Sequence, residues 1–88
     1  MATFAAYFSY GGKDGLTHNE HVGSFKTLDE AYLHLMREQR AFGEAKGANG
    51  VDFYVKSGGK RVSMDDPERF RKLLEQVVRE KFEAAHAA

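Results

Sequence analysis

The sequence predicts a single α+β domain, a two-layer sandwich with two helices on one face of a mostly antiparallel four-stranded sheet, in the order ββαββα. Three observations support this fold class. Two stretches have apolar residues at spacings of three and four, which indicates amphipathic helices. Four shorter stretches are rich in aromatic or β-branched residues, which indicates strands. Glycine-rich segments separate the strands of each pair, as in hairpins.

Composition limits the class of protein. The chain has 88 residues, 13 basic and 13 acidic side chains, and no cysteine. This length fits one domain, residues 1–88, and the balanced charge gives no overall field that would attract nucleic acid or a membrane. The absence of cysteine is consistent with a reducing compartment, so we expect the cytoplasm. We expect no signal peptide and no membrane partner, because no long apolar run is present.

In the first half of the chain, a strand is predicted from Thr3 to Tyr10 and a weaker one over residues 21–26. The segment between them, residues 11–19, is predicted to be a polar, mobile loop. Thr27 and Glu30 have the spacing of a capping box, so a helix is expected to begin there. It ends either at residue 43 or at residue 46, with a glycine as its stop.

In the second half, residues 51–57 alternate cleanly and Gly58-Gly59 predicts a two-residue hairpin turn into a strand over residues 60–64. Asp66 and Pro67 then predict the start of a long helix. Its apolar residues at helical spacing predict one buried stripe, formed by Phe70, Leu73, Leu74, Val77, Val78 and Phe82. The alanine-rich tail, residues 84–88, is predicted to fray.

A local similarity indicates a duplicated ββα unit, residues 3–46 and 51–85. Residues 7–13 and 54–60 are identical at four of seven positions, and both stretches leave a strand into a turn. The similarity does not extend through the first loop, which is much longer. Chance similarity between two strand-turn segments is therefore the alternative.

The face of the sheet away from the helices is the first candidate site. Alternation places polar, basic and aromatic side chains there, namely Tyr7, Val22, Ser24, Lys26, Tyr54, Lys56, Arg61 and Ser63, with Lys60 beside the glycine turn. Tyrosines among cations suit a protein interface. They also suit stacking of bases with phosphate contacts. An ordinary hydrated sheet face is the third interpretation.

Metal binding and catalysis have weaker support. His18 and His21, with Glu20 and Asp14 nearby, are weak candidates for metal ligands, but their spacing matches no established metal motif. The chain has no phosphate-binding loop and no nucleophile or zinc-protease motif. The acidic pair Asp65-Asp66 is explained by helix capping. We therefore expect neither a cofactor nor enzymatic activity.

These observations favour a small binding or regulatory protein that acts through protein–protein interaction, as an inhibitor or accessory factor, or through self-association. The alternative is a single-stranded nucleic-acid-binding module that uses the open sheet face. The binding residues expected on the open sheet face are six, namely Tyr7, Lys26, Tyr54, Lys56, Lys60 and Arg61, and the nucleic-acid hypothesis uses all of them except Lys26.

Overall fold

The computed structural model describes residues 3–86 and confirms the predicted α+β class and element order. The elements are β1 (Phe4–Gly11), β2 (Thr17–Phe25), α1 (Leu28–Lys46), β3 (Val51–Ser57), β4 (Lys60–Val62) and α2 (Pro67–His86). The four strands form one sheet in the order β2-β1-β3-β4, and every neighbouring pair is antiparallel. The first strands of the two hairpins, β1 and β3, therefore pair with each other in the middle of the sheet. The duplication of a ββα unit stays a prediction.

The first hairpin is tighter than the sequence predicts. β2 begins at Thr17, so the predicted loop over residues 11–19 is too long. The turn is closed by a hydrogen bond from the Gly12 N–H to the Leu16 carbonyl at 2.8 Å, and Asp14 Oδ1 accepts the Leu16 N–H at 3.0 Å. The Leu16 N–H, together with the His18 ring, holds the pKa of Asp14 below its ordinary value. Residues 12–16 therefore form a hydrogen-bonded turn instead of part of a long open loop.

A bulge in β2 changes the face of one residue. Ala6 pairs with Gly23 and Tyr7 pairs with His21, so Val22 is an extra residue between two successive pairs. Val22 packs against the hydrophobic core instead of lying on the open face, where alternation predicts it. The prediction is wrong because strict alternation does not hold across a bulge.

Helix α1 has the predicted cap and the longer of the two predicted ends. Thr27 Oγ1 accepts the Glu30 N–H at 3.1 Å, which satisfies a free donor of the first turn. The helix runs to Lys46 and stops at Gly47, which has a left-handed φ of 64° and donates its N–H to the Glu44 carbonyl. Leu33 of this helix is partly buried and packs against the core.

The core lies between the sheet and α1 and extends to α2. Its buried members are Ala6, Phe8, Ala31, Tyr32, Leu35, Met36, Val55, Leu73 and Val77. The two helices run side by side in the same direction, because ion pairs join Asp29 to Arg69 near their starts and Arg37 to Glu80 further along.

Helix α2 packs beside α1 on the same face of the sheet, and its backbone lies further from the strands than that of α1. Within residues 3–86, no Cα atom of α2 lies within 8 Å of a strand Cα atom. Only Leu73 and Val77 of α2 are fully buried, while Leu74, Val78 and Phe82 are 44%, 60% and 61% exposed. The prediction of one buried six-residue stripe is therefore wrong, because α2 lies further from the strands than α1 does and only part of its apolar surface is covered. The helix continues to His86, and the last two residues of the predicted frayed tail lie outside the described part of the chain.

Candidate binding surface on the open sheet face

The helix-free face of the sheet carries a line of side chains that crosses all four strands. Strand register brings Tyr7 of β1 opposite Tyr54 of β3, and His21 of β2 opposite Tyr7. Arg61 of β4 lies on the same face, because it pairs with Lys56 of β3. We call His21, Tyr7, Tyr54 and Arg61 the cross-strand row.

Members of the cross-strand row are stacked on one another. The ring centroids of Tyr7 and Tyr54 are 5.0 Å apart and the ring planes are nearly parallel, at 5°. The His21 ring lies on the other side of Tyr7, at 5.1 Å and a tilt of 43°. Arg61 covers the other side of Tyr54, with Cζ 4.1 Å from the ring centroid. Stacked aromatic pairs and a guanidinium over a ring are each favourable contacts, so the row is a packed unit.

Polar contacts fix the row further. The Tyr54 hydroxyl donates to Asn19 Oδ1 at 3.2 Å, which ties β3 to β2 across β1. The ring Nε2 of His21 lies 3.2 Å from Ser24 Oγ. Lys56 Nζ lies 5.7 Å from the Tyr7 centroid and 6.0 Å from that of Tyr54, so a second cation accompanies the two rings. Both tyrosines are partly buried, whereas His21 and Arg61 are exposed.

The stacking decides which parts of the tyrosines a ligand can reach. Each ring is enclosed on both faces, Tyr7 by His21 and Tyr54, and Tyr54 by Tyr7 and Arg61. The accessible groups are therefore the ring edges, the hydroxyls and the cationic heads of Lys56 and Arg61. Such a surface offers hydrogen-bond donors and positive charge around an apolar centre, a combination that protein interfaces favour.

Four of the six predicted surface residues come together, namely Tyr7, Tyr54, Lys56 and Arg61. Lys60 was predicted on the wrong face, because it pairs with Ser57 and so shares the helix-bearing side with Val55 and Val62. Lys26 lies beyond the last paired residue of β2, in the bend before α1, where strand alternation no longer applies.

The two weak metal-ligand candidates, His18 and His21, do not come together. The sequence predicts His18 in the loop over residues 11–19 and His21 at the start of the second strand, but β2 includes both residues and turns them to opposite faces. His18 stacks on Tyr10 at 5.5 Å and its Nε2 contacts the Asp14 carboxylate at 3.0 Å. One ion cannot be bound by both histidines in this arrangement. Among residues 3–86 no three histidine, aspartate or glutamate side chains are grouped so that they could hold a metal.

Comparisons with known proteins do not assign a function. No family model, no curated protein and no solved structure matches the chain. Neither helix of the described part of the chain has the length and apolar character needed to cross a membrane.

Proposed function

We propose that this chain is a small, non-catalytic binding protein of a reducing compartment that docks its open sheet face on an acidic surface of another protein. The observation that carries the proposal is the Tyr7–Tyr54 stack, 5.0 Å between centroids, on a sheet face that no helix of residues 3–86 covers. Tyrosine and arginine are the residues most often found as energetic anchors of protein interfaces. Both occur here side by side.

The side chains of the cross-strand row are held in place before a partner binds, and this supports a role in binding. Flexible side chains lose about 0.5–1.5 kcal/mol each when an interface immobilises them. Tyr54 is held by Tyr7, Arg61 and Asn19 before any partner arrives. Much of this side-chain entropy is therefore already lost during folding. Less of the favourable contact energy is then offset when a partner binds.

The charges on this face define the partner. Lys56 and Arg61 lie beside the tyrosines, and Asp52 lies further along β3 on the same face. The surface around the two rings is therefore cationic although the whole chain is neutral. Carboxylates of a partner would pair with Arg61, whose planar head suits bidentate contacts. We expect the association rate to fall with added salt.

Nucleic-acid binding through the same face is the alternative. Lys56 and Arg61 could contact phosphates, but base stacking needs a free aromatic face. Both faces of Tyr54 are covered, so a base would have to displace Arg61 or separate the two tyrosines. This cost favours the protein partner over the nucleic acid.

The test uses two adjacent basic residues on opposite faces. Arg61→Glu reverses charge on the open face, and Lys60→Glu makes the same change on the helix-bearing side. Proteins from the source cells that the tagged chain retains are identified, produced in pure form and titrated by calorimetry. We expect Arg61→Glu to weaken binding at least about tenfold and Lys60→Glu to change it by less than about twofold. Equal effects of the two variants would contradict the proposal.

Tyrosine emission distinguishes the alternative, because the chain has no tryptophan. Short single-stranded DNA and RNA are titrated at low and moderate salt, with Tyr54→Ala as the comparison. No saturable quenching is expected. Quenching that saturates, falls steeply with salt and is reduced in Tyr54→Ala would replace protein docking with nucleic-acid binding.

A further inference from the structure

Helix α2 carries an exposed apolar ridge that the fold does not cover. Phe70, Leu74, Val78 and Phe82 are spaced four residues apart, so they form one row along the helix. Phe70 packs against the core and its ring meets Tyr32 edge-on at 6.1 Å. The following three are 44%, 60% and 61% exposed. We call Leu74, Val78 and Phe82 the α2 ridge.

The exposure of the ridge follows from the position of α2. A row of residues four apart drifts around the helix by about 40° per step. The row therefore starts against Tyr32 and turns gradually away from α1. The exposure that rises from Leu74 to Phe82 shows that residues 3–86 leave the row largely uncovered where it leaves α1. The ridge is about 12 Å long, from the rise of 1.5 Å per residue over eight residues.

Two opposite charges flank the ridge on one side. Glu75 and Arg79 line the same shallow surface hollow as Leu74, Val78 and Phe82. Within the described part of the chain, Arg79 forms no ion pair, and Glu75 has only a contact of 3.6 Å with Arg71. The flank thus presents one acidic and one basic side chain, separated by one turn of helix.

We propose that the α2 ridge is covered by the same ridge of a second copy, in an antiparallel α2–α2 pair with its two-fold axis near Val78. In that arrangement Leu74 of one copy faces Phe82 of the other, because both lie four residues from Val78. Glu75 and Arg79 are symmetric about Val77, only one position or about 1.5 Å along the helix from Val78, so the long side chain of Glu75 in each copy can reach Arg79 of the other and two ion pairs form across the axis. A two-fold interface must be complementary to itself, and the order of charges along this flank has that property.

The partner is a second copy and not an unrelated acidic or basic protein, because Glu75 and Arg79 carry opposite charges one helical turn apart. An antiparallel copy matches each charge with its opposite, whereas a flank with two like charges would repel its symmetry mate. The α2–α2 dimer would leave the open sheet face of both copies free. The dimer would then present two cross-strand rows, and linked surfaces of this kind bind multivalent partners more tightly than single ones.

The expected dimer is weak. Three partly exposed side chains per copy form an interface at or below the lower end of the specific range. We therefore expect a dissociation constant on the order of ten micromolar. Sedimentation equilibrium over a hundredfold concentration range is the suitable measurement, and the average mass should rise from the monomer value of 9.9 kDa towards twice that value.

The charge pattern gives a specific set of variants. Glu75→Lys places a lysine next to Arg79 of the other copy, and Arg79→Glu places a glutamate next to Glu75. Each should weaken the dimer at least about tenfold, because like charges then meet twice across the axis. The double variant Glu75→Lys/Arg79→Glu restores two opposite pairs, so its dissociation constant should return to within about threefold of the original. A mixture of the two single variants should form the heterodimer in preference to either homodimer.

Val78→Asp tests the apolar part of the contact. Val78 is 60% exposed, so its replacement leaves the core intact and should give a folded monomer, which far-ultraviolet circular dichroism can verify. A wild-type chain that stays monomeric at millimolar concentration would overturn the proposal. So would a dimer that Val78→Asp and Glu75→Lys leave unchanged, because it would use another surface.

Discussion

The hydroxyl of Tyr32 accepts the backbone N–H of Met64 at 3.1 Å, two residues after β4 ends at Val62. β4 pairs with β3 only over Lys60–Val62, although the sequence predicts a strand to residue 64. The Tyr32 ring also meets Phe53 of β3 and Phe70 of α2 edge-on, at 5.8 and 6.1 Å. One side chain of α1 therefore links the sheet, the β4–α2 connection and α2.

Tyr32→Phe should destabilise the fold by about 1 kcal/mol, because the partly buried Met64 N–H loses its acceptor while the ring contacts remain. Urea denaturation measures the change. Amide hydrogen exchange should show faster exchange at Met64 in the variant. Tyr10→Phe is the control, since the Tyr10 hydroxyl makes no hydrogen bond to residues 3–86. Equal protection of Met64 in both variants would argue against this role of Tyr32.

The two adjacent aspartates before α2 should differ in their effect on stability. Asp66 Oδ1 accepts the N–H groups of Glu68 and Arg69, both at 3.1 Å, which caps the helix. We expect Asp66→Ala to cost about 1 kcal/mol and Asp65→Ala to stay within about 0.5 kcal/mol of wild type. Chemical denaturation of the two variants under identical conditions gives the comparison. A larger effect at Asp65 would exclude the capping assignment.

The second hairpin turn requires two residues with positive φ. Gly58 and Gly59 have φ values of 60° and 79°, the combination found in a type I′ turn. Gly59→Val should therefore cost at least about 1–2 kcal/mol, because a side chain beyond Cβ clashes in the left-handed region. Gly58→Asn should be nearly neutral, since asparagine tolerates this region. Thermal unfolding distinguishes the two, and similar melting temperatures would contradict the turn assignment.

The features that the sequence predicts correctly are those with local causes. The Thr27 cap bonds a residue three positions away, and the Gly47 stop depends on one left-handed residue. The Gly58-Gly59 turn likewise needs only its own backbone conformation. Such signals are contained in a few consecutive residues. The positions of α1, the second hairpin and the start of α2 could therefore be predicted without knowledge of the tertiary structure.

The start of β2 and the bulge at Val22 could not be predicted in this way. Residues 17–20 are largely polar, which predicts a loop. In the structure they pair with residues 8–11, at the C-terminal end of β1. Their conformation is fixed by a neighbouring strand and a closed turn, which lie outside any local window. His21 was missed as a member of the cross-strand row for the same reason, because its face depends on the β1–β2 register.

The open face was predicted in part, because alternation identifies a face but not the neighbours on it. Tyr7 and Tyr54 belong to the same face from the sequence alone, yet their stacking follows from direct pairing of β1 with β3. The exposed α2 ridge shows a related difficulty. Periodicity identifies apolar residues such as Leu74, but the width of the buried strip depends on where the helix rests.

Arg37 of α1 and Glu80 of α2 form a two-bond fork, with Nε and Nη2 each 2.8 Å from a carboxylate oxygen. Gln76 Nε2 also donates to this carboxylate, at 3.2 Å. These donors, Arg37 first, lower the pKa of Glu80 from 4.5 to about 2. The same contact raises the pKa of Arg37. The pair is partly open to solvent, with side-chain exposures of 43% and 40%, so salt should weaken it.

The Arg37–Glu80 ion pair should make the free energy of unfolding depend on pH between about 4.5 and 2. A carboxylate whose pKa is lower in the folded state stabilises the fold fully above its unfolded-state pKa, near 4.5, and this contribution is lost as pH falls towards 2. Glu80→Gln should therefore be less stable than wild type at pH 7, with a difference that shrinks below pH 4.5 and is nearly gone at pH 2. Urea midpoints at several pH values measure this. Glu83→Gln, at an exposed position of the same helix, is the control and should show little difference at any pH. A Glu80→Gln difference as large at pH 2 as at pH 7 would mean that the side chain acts through packing and not through charge.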